Sequence, residues 1–312
     1  MIKYLDYYVP EERISVATVF NAIDEEKIPA FFETRADGIA FFKSVLNLKE
    51  VADAGQKTEL DLFDILMAKN LKEQTITPLK TDLIIVIDDA LKRGARMDNF
   101  GQYVQHKYGF KNADVLVLSG NHCSNIEYAI SYGEMLLRSE AINNILIIGI
   151  NKVSEYAERV IGNYAVLGDG IGIVLLSSEA GSGVKINESF SLTNGAFYEA
   201  DLVKAPPLIL YKNYMMCISG LLKKSGTKPH AFSEIILQNA NTSGIIECFK
   251  GLGFNLNKIN KENITKYGHI DCIDFVINLK TILDKKAPPG TKIISFGNGY
   301  AGSNICLNLE VV

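Results

Sequence analysis

The side chains with the widest chemistry in this chain are five cysteines, at positions 123, 217, 248, 272 and 306, and four histidines. Of the cysteines, Cys123 stands where local sequence would make a thiol reactive. An apolar run, Val115-Leu116-Val117-Leu118, gives way through Ser119-Gly120-Asn121-His122 to a segment with Ile126, Ala129, Ile130, Gly133 and Leu137 at helical spacing. A strand thus delivers the thiol to a helix mouth. Ser124 and Glu127 have the hydroxyl-then-acid spacing of a capping box, which predicts a helix start immediately after Cys123. Free backbone N–H groups and the positive end of the helix dipole favour the thiolate there, the nucleophilic form of cysteine. The plain alternative is a small buried residue filling a strand-to-helix corner. Cys217, Cys248, Cys272 and Cys306 lie in apolar runs and are read that way.

Stepping out from the thiol, 312 residues with 47% hydrophobic and 22% charged side chains suffice for one large domain or two packed halves. The net charge of -4, with lysines and arginines scattered, offers no footprint for nucleic acid or an anionic membrane. An odd cysteine count without a CxxC pair suggests neither a disulfide framework nor a zinc site, so a reducing cytoplasm is the expected location. The N-terminus lacks the regions of a signal peptide, and no apolar run reaches the length of a membrane span.

Short apolar runs alternate with longer amphipathic stretches, the pattern of a layered α/β fold. Strands are predicted at Leu83 to Ile87, Val115 to Leu118, Ile145 to Ile148 and Ile171 to Leu176, then at Ile235 to Leu237, Lys292 to Phe296 and Ile305 to Leu309. Lacking polar alternation, those of the first half should be covered on both faces. Helices are predicted at Glu59 to Lys72, Ser243 to Leu252 and Ile270 to Asp284. Two segments, from Gly168-Asp169-Gly170 to Leu176 and from Gly297-Asn298-Gly299 to Leu307, both run from a Gly-Asx-Gly turn into an apolar strand, a weak internal duplication. A nucleotide-binding loop is the rival for such glycines, but in that motif they follow a strand and open a helix. The small polar stretch Ser178 to Gly183 divides the chain into halves 1–178 and 179–312.

Four stretches together carry a family likeness: Cys123 at its junction; Leu167-Gly168-Asp169-Gly170-Ile171-Gly172; Gln238-Asn239-Ala240-Asn241 with Tyr267-Gly268-His269; and Pro289-Gly290 followed by Ser295-Phe296-Gly297-Asn298-Gly299. In order and spacing they resemble the thiolase superfamily, and within it the ketoacyl synthase III branch, from about residue 80 to the C-terminus. Tyr8-Val9-Pro10-Glu11 resembles the usual opening strand and loop. The resemblance implies two similar α/β halves in a five-layered αβαβα core, usually a homodimer, that loads an acyl group onto cysteine from coenzyme A or acyl carrier protein without a permanent cofactor.

This chain departs from that pattern at two positions. Decarboxylating members carry histidine where Gln238 stands and asparagine where His269 stands, a pair that binds the extender thioester and stabilises its enolate. The exchange favours acyl transfer to a second substrate, with Cys123 as nucleophile, His269 as base and Gln238 as an amide donor. The Cys123 N–H and a glycine amide, Gly297 or Gly299, would hold the oxyanion, as the resemblance implies. Asn239, Asn241 and Asp169 are read as loop braces. Decarboxylative condensation, a non-catalytic subunit in a heterodimer with a related chain, and thioester hydrolysis are the alternatives. A site outside the housekeeping pattern points to specialised metabolism.

Among other residues, His122 should point away from the thiol if the segment is extended. His106 and His230 lie in polar stretches read as surface. Asp271, two residues beyond His269, would either orient that ring or cap a helix. Asp24 to Lys27 is read as a solvated face, and Lys212, Lys223 and Lys224 are the docking candidates for an acidic carrier protein. Residues 195 to 224, with Tyr198, Leu208, Ile209, Leu210, Tyr211 and Tyr214, are the candidates for an acyl tunnel or its entrance.

Overall fold

The computed structural model describes residues 1–28, 32–87, 100–197, 207–299 and 302–312. In chain order, the first part is β1 (Ile2–Tyr8), β2 (Arg13–Ser15), α1 (Val16–Asn21), α2 (Arg35–Val45), β3 (Glu50–Ala52), α3 (Glu59–Lys72), β4 (Leu83–Ile87), α4 (Phe100–Tyr108), β5 (Asp114–Leu118), α5 (Asn125–Arg138), β6 (Asn144–Asn151), β7 (Val160–Ile161), β8 (Ala165–Val166) and β9 (Gly170–Ser177). There follow β10 (Val184–Thr193), α6 (Pro207–Ser225), β11 (Glu234–Ile236), α7 (Ser243–Gly251), α8 (Glu262–Tyr267), α9 (Ile273–Asp284), β12 (Lys292–Asn298) and β13 (Ser303–Val311).

Hydrogen bonding runs β11-β12-β13-β10-β1-β9-β6-β4-β5. Between β10 and β1 the register consists of Ile2 opposite Val184 alone, so two mixed sheets meet there edge to edge. The side chains show why the strands are apolar throughout. In β4, Ile84 and Val86 face a cluster with Leu62, Phe63 and Val104 of α3 and α4, whereas Ile85 and Ile87 face Ile126 and Ile130 of α5. In the other sheet, Ile293, Ile305, Leu307 and Leu309 join that inner cluster with Ile273 and Ile277 of α9, and Ile294, Phe296 and Cys306 pack on Ile218, Leu221 and Phe249 of α6 and α7. The layers are therefore helices, sheet, the central pair α5 and α9, sheet, helices, the αβαβα order.

Strand β5 departs from the expected double coverage. Among the described residues it pairs with β4 alone and leaves Leu116 and Val117 about half exposed, at 46% and 52%. Helix α3 spans the predicted residues because Thr58 and Asp61 close a reciprocal capping box at its start. Among the described residues no helix is long and apolar enough to cross a membrane. The two glycine segments also differ from their expected likeness, since Gly168-Asp169-Gly170 leads into β9 while Gly297 lies inside β12 and Gly299 turns the chain into β13.

Candidate active site

From β5 the chain passes through Gly120, at φ +90°, and a single 3-10 turn, His122–Ser124, before α5 begins at Asn125. His122 is left-handed, at φ +49°, so the segment is not extended and simple alternation of side chains does not apply to it. The capping box does not form. The Ser124 hydroxyl instead donates back to Asn121 O at 2.7 Å, and the Asn121 N–H donates to Asn125 Oδ1 at 3.2 Å, closing the turn that carries Cys123. Glu127 turns inward against Gly297 and is buried. Burial pushes its carboxyl well above the usual range, with Asp274 and Asp271 adding to the effect, and among the described residues its Oε2 has no hydrogen-bond partner.

His269 arrives from the second half. Leu167 bridges to it, Gly168 N donates to His269 O at 2.8 Å, and Gly268, at φ +75°, lies where a Cβ would come within 2.5 Å of Val51. Asp271, at φ +52°, then turns the chain, so α9 starts at Ile273 and not at Ile270. From the first turn of α9 the Asp274 carboxylate accepts from Ile270 N at 2.8 Å, Asn239 N at 2.7 Å, Asn239 Nδ2 at 3.2 Å and the His269 ring at Nδ1, 2.5 Å away. The other ring nitrogen, Nε2, lies 3.2 Å from Cys123 Sγ. Thiol, imidazole and carboxylate stand in line, all three buried. The acid that orients the ring is thus Asp274; Asp271 accepts from Cys272 N. With Nδ1–H held by a carboxylate, Nε2 is the ring atom that faces sulfur and can take its proton.

Gln238 has a different place from the expected one. Its Nε2 donates to Cys123 O at 3.0 Å and to Asn298 O at 2.9 Å, and its Oε1 accepts from the Tyr164 hydroxyl at 2.5 Å. An amide has two N–H hydrogens, and both are committed to backbone carbonyls, leaving none for a substrate carbonyl. The flipped amide would set one oxygen against two others, so the partners fix its orientation. Gln238 is a clamp between the nucleophile turn and the glycine loop.

Strand alternation bears on the glycines. The Gly299 N–H donates to Ser303 O at 2.6 Å and Gly297 pairs with Ile305, so the N–H turned toward Gln238 is that of Asn298, at 3.4 Å from Oε1. What Gly297 and Gly299 contribute is close approach: a Cβ would stand 2.7 Å from Glu127 Oε1 in the first case and 2.2 Å from Asn121 O in the second. Asn241 N donates to Tyr164 O at 2.7 Å and its Nδ2 to Asn163 O at 3.1 Å, tying the Gln238 loop to the β7–β8 hairpin. Asp169 is buried in an ion pair with Arg159 at 2.8 Å and accepts from Ala54 N and Val153 N.

Tyr164 and Asp274, which complete the surroundings of the thiol and its base, were not singled out from sequence, and Glu127 was read only as a capping residue. Tyr164 is half-buried, its ring edge-on to His269 at 5.7 Å; burial, then the charge of Cys123, push its phenol well above the ordinary value, so it stays a donor. Of the other expected residues, Cys217, Cys248, Cys272 and Cys306 are buried, and His106, His230, Lys212 and Lys223 are exposed. Lys224 is paired with Glu188 at 2.9 Å, and Lys27 with Asp24 at 2.7 Å. Tyr198 lies outside the described residues, while Leu208, Ile209 and Tyr211 at the start of α6 face outward.

Two sheets around a central pair of helices, with a cysteine at the mouth of one and a histidine just before the other, define the thiolase class of fold. The family model for 3-oxoacyl-[acyl-carrier-protein] synthase III matches residues 119–195, from the turn before Cys123 through β10. A beta-ketoacyl-[acyl-carrier-protein] synthase III of Clostridium perfringens is 27% identical over 89% of this chain and 92% of its own length. Among solved structures, 3-oxoacyl-[acyl-carrier-protein] synthase III of Aquifex aeolicus superposes with a TM-score of 0.78 at 21% identity, covering 99% of each chain. ChlB3, named an acyltransferase, superposes with a TM-score of 0.78 at 16% identity, covering 100% of this chain and 97% of its own. The chain is thus similar in sequence to ketoacyl synthase III proteins and shares the thiolase class of fold with them.

Proposed function

We propose that this protein is an acyltransferase that takes an acyl group from a coenzyme A or acyl carrier protein thioester onto Cys123 and passes it to an oxygen or nitrogen nucleophile. The observation that carries the reading is the line Cys123, His269, Asp274, with 3.2 Å and 2.5 Å between successive groups. A base held by a carboxylate serves both halves of such a reaction. It takes the thiol proton as Cys123 attacks the thioester, gives it to the departing thiol, and then takes the proton of the acceptor as the acyl–sulfur bond breaks. Condensation with a malonyl thioester needs donors aimed at the enolate oxygen, and the Gln238 amide hydrogens are both held by Cys123 O and Asn298 O. The names of the synthase relatives keep condensation as the second reading. The acyl donor is a substrate, and the mechanism calls for no resident cofactor.

Divergence from the housekeeping pair at Gln238 and His269 supports a role in specialised metabolite biosynthesis. The half-exposed edge of β5 supports a homodimer formed by pairing of β5 with its counterpart.

The test is intact-mass measurement after incubation with a panel of acyl-coenzyme A thioesters, followed by a chase. The expected result is a mass gain of one acyl group that is absent in Cys123→Ala, and faster discharge by an alcohol or amine than by malonyl-coenzyme A. Faster discharge by malonyl-coenzyme A, with release of a 3-ketoacyl product, would hand the assignment to condensation. Absence of both adduct and free coenzyme A with every donor would leave the non-catalytic subunit.

A further inference from the structure

Between β2, the chain leading into β3 and the end of α8 lies a surface cavity of about 240 Å³, lined by Arg13, Asn47, Lys49, Glu50, Thr265 and Lys266. No residue of the Cys123, His269, Asp274 line contributes to it. Three cations stand there against one carboxylate, and among the described residues none of the four is in an ion pair. Such an excess of positive charge in one concavity favours an anion.

Arg13 is the fixed member of the group. Its Nη1 donates to Pro10 O and to Glu12 O, the latter at 2.9 Å, so both hydrogens of that nitrogen are held by the chain. The guanidinium carbon lies 5.8 Å from the centre of the Tyr267 ring, and Lys266 Nζ lies 4.8 Å from the same centre. Tyr267 is itself buried and gives both cations a firm seat. What remains of the Arg13 fork is Nε–H and the two hydrogens of Nη2, which have no partner among the described residues. A parallel pair of N–H groups on Nε and Nη2 matches two oxygens of one anion. A phosphate offers those two, a third oxygen for an ammonium group, and more charge than a carboxylate to set against three cations.

We infer that this cavity binds the phosphate group of a small-molecule ligand. Arg13 grips two of its oxygens, Lys49 and Lys266 neutralise it, Asn47 and Thr265 add uncharged donors, and Glu50 opposes it. The inference stands apart from the acyl-transfer reading, because it concerns other residues.

The experiment titrates the full-length protein with sodium phosphate at constant ionic strength and reads Tm, with sodium acetate in parallel. Phosphate should raise Tm where acetate does not, since a ligand that binds only the folded chain stabilises it. Arg13→Ala should weaken phosphate binding by about tenfold or more, the worth of a charge-assisted contact. Lys266→Ala, an exposed side chain that holds no backbone atom, should weaken it about fivefold and decides the matter if the arginine variant melts early. Glu50→Gln should tighten it about two- to fivefold, a gain that mere disturbance of the fold would not produce. Coenzyme A and dephospho-coenzyme A then separate the sources of the phosphate. A preference for coenzyme A that Lys266→Ala removes places the group on the acyl donor, whereas equal binding of the two places it on a separate phosphorylated molecule. A phosphate effect no larger than that of acetate, or one unchanged in Lys266→Ala and Glu50→Gln, overturns the site.

Discussion

At the scale of single residues, the two carboxyls near Cys123 differ in the company they keep. Asp274 is surrounded by four donors, whereas Glu127 is buried with one oxygen unpartnered among the described residues, and its carboxyl is pushed well above its ordinary value of 4.5. The consequence for stability has a definite sign. Above pH 4.5 the unfolded chain releases this proton while the folded chain retains it, so the contribution of Glu127 declines as pH rises toward its folded value. Glu127→Gln, which keeps shape and removes the titration, should therefore show a smaller loss of Tm than wild type between pH 5 and pH 9. Parallel Tm curves for the two proteins would mean that Glu127 titrates normally in the fold.

At the scale of elements, the site depends on two strand-to-helix corners pressed against one hairpin. Gly299 is the tightest point, because the atom that a Cβ would meet, at 2.2 Å, is the backbone oxygen of Asn121, which a side-chain rotation cannot relieve. Gly299→Ala should cost about 1–3 kcal/mol in urea unfolding and slow acyl loading, because the displaced segment is the turn that carries Cys123. Loading at the wild-type rate would show that the turn tolerates the shift. Gln238 belongs to this scale as well: it holds the same turn to the same hairpin from the other side.

At the scale of the whole molecule, the central helices α5 and α9 each belong to one sheet's connectivity but bury their apolar faces against both sheets. Cys123 and His269, 146 positions apart in the chain, meet because these two helices begin side by side. The edge strand β5 carries the same architecture outward, ending the nine-strand order with Leu116 and Val117 uncovered. Val117→Lys should convert the proposed dimer to monomer in sedimentation velocity, since a charge on an edge strand opposes pairing with another copy. A dimer that persists in this variant assembles through another surface.

The residues of the sequence by itself determined the layered class, most strand cores and the helix Glu59–Lys72, because apolar runs, caps and breakers act over a few positions. The family likeness likewise came from motifs that are local in the chain. The chemistry around the thiol was only half legible. Ser124 and Glu127 have capping-box spacing, yet the 3-10 turn spares the helix that bond and leaves the acid in the core, a result of packing against Gly297. Neither Asp274 nor Tyr164 carries a signal in the sequence that marks it for this site. Their roles follow from a left-handed turn at Asp271 and from loops of opposite halves meeting over Cys123. Only the tertiary structure decides such contacts, because they join segments whose separation in the chain carries no periodic signal.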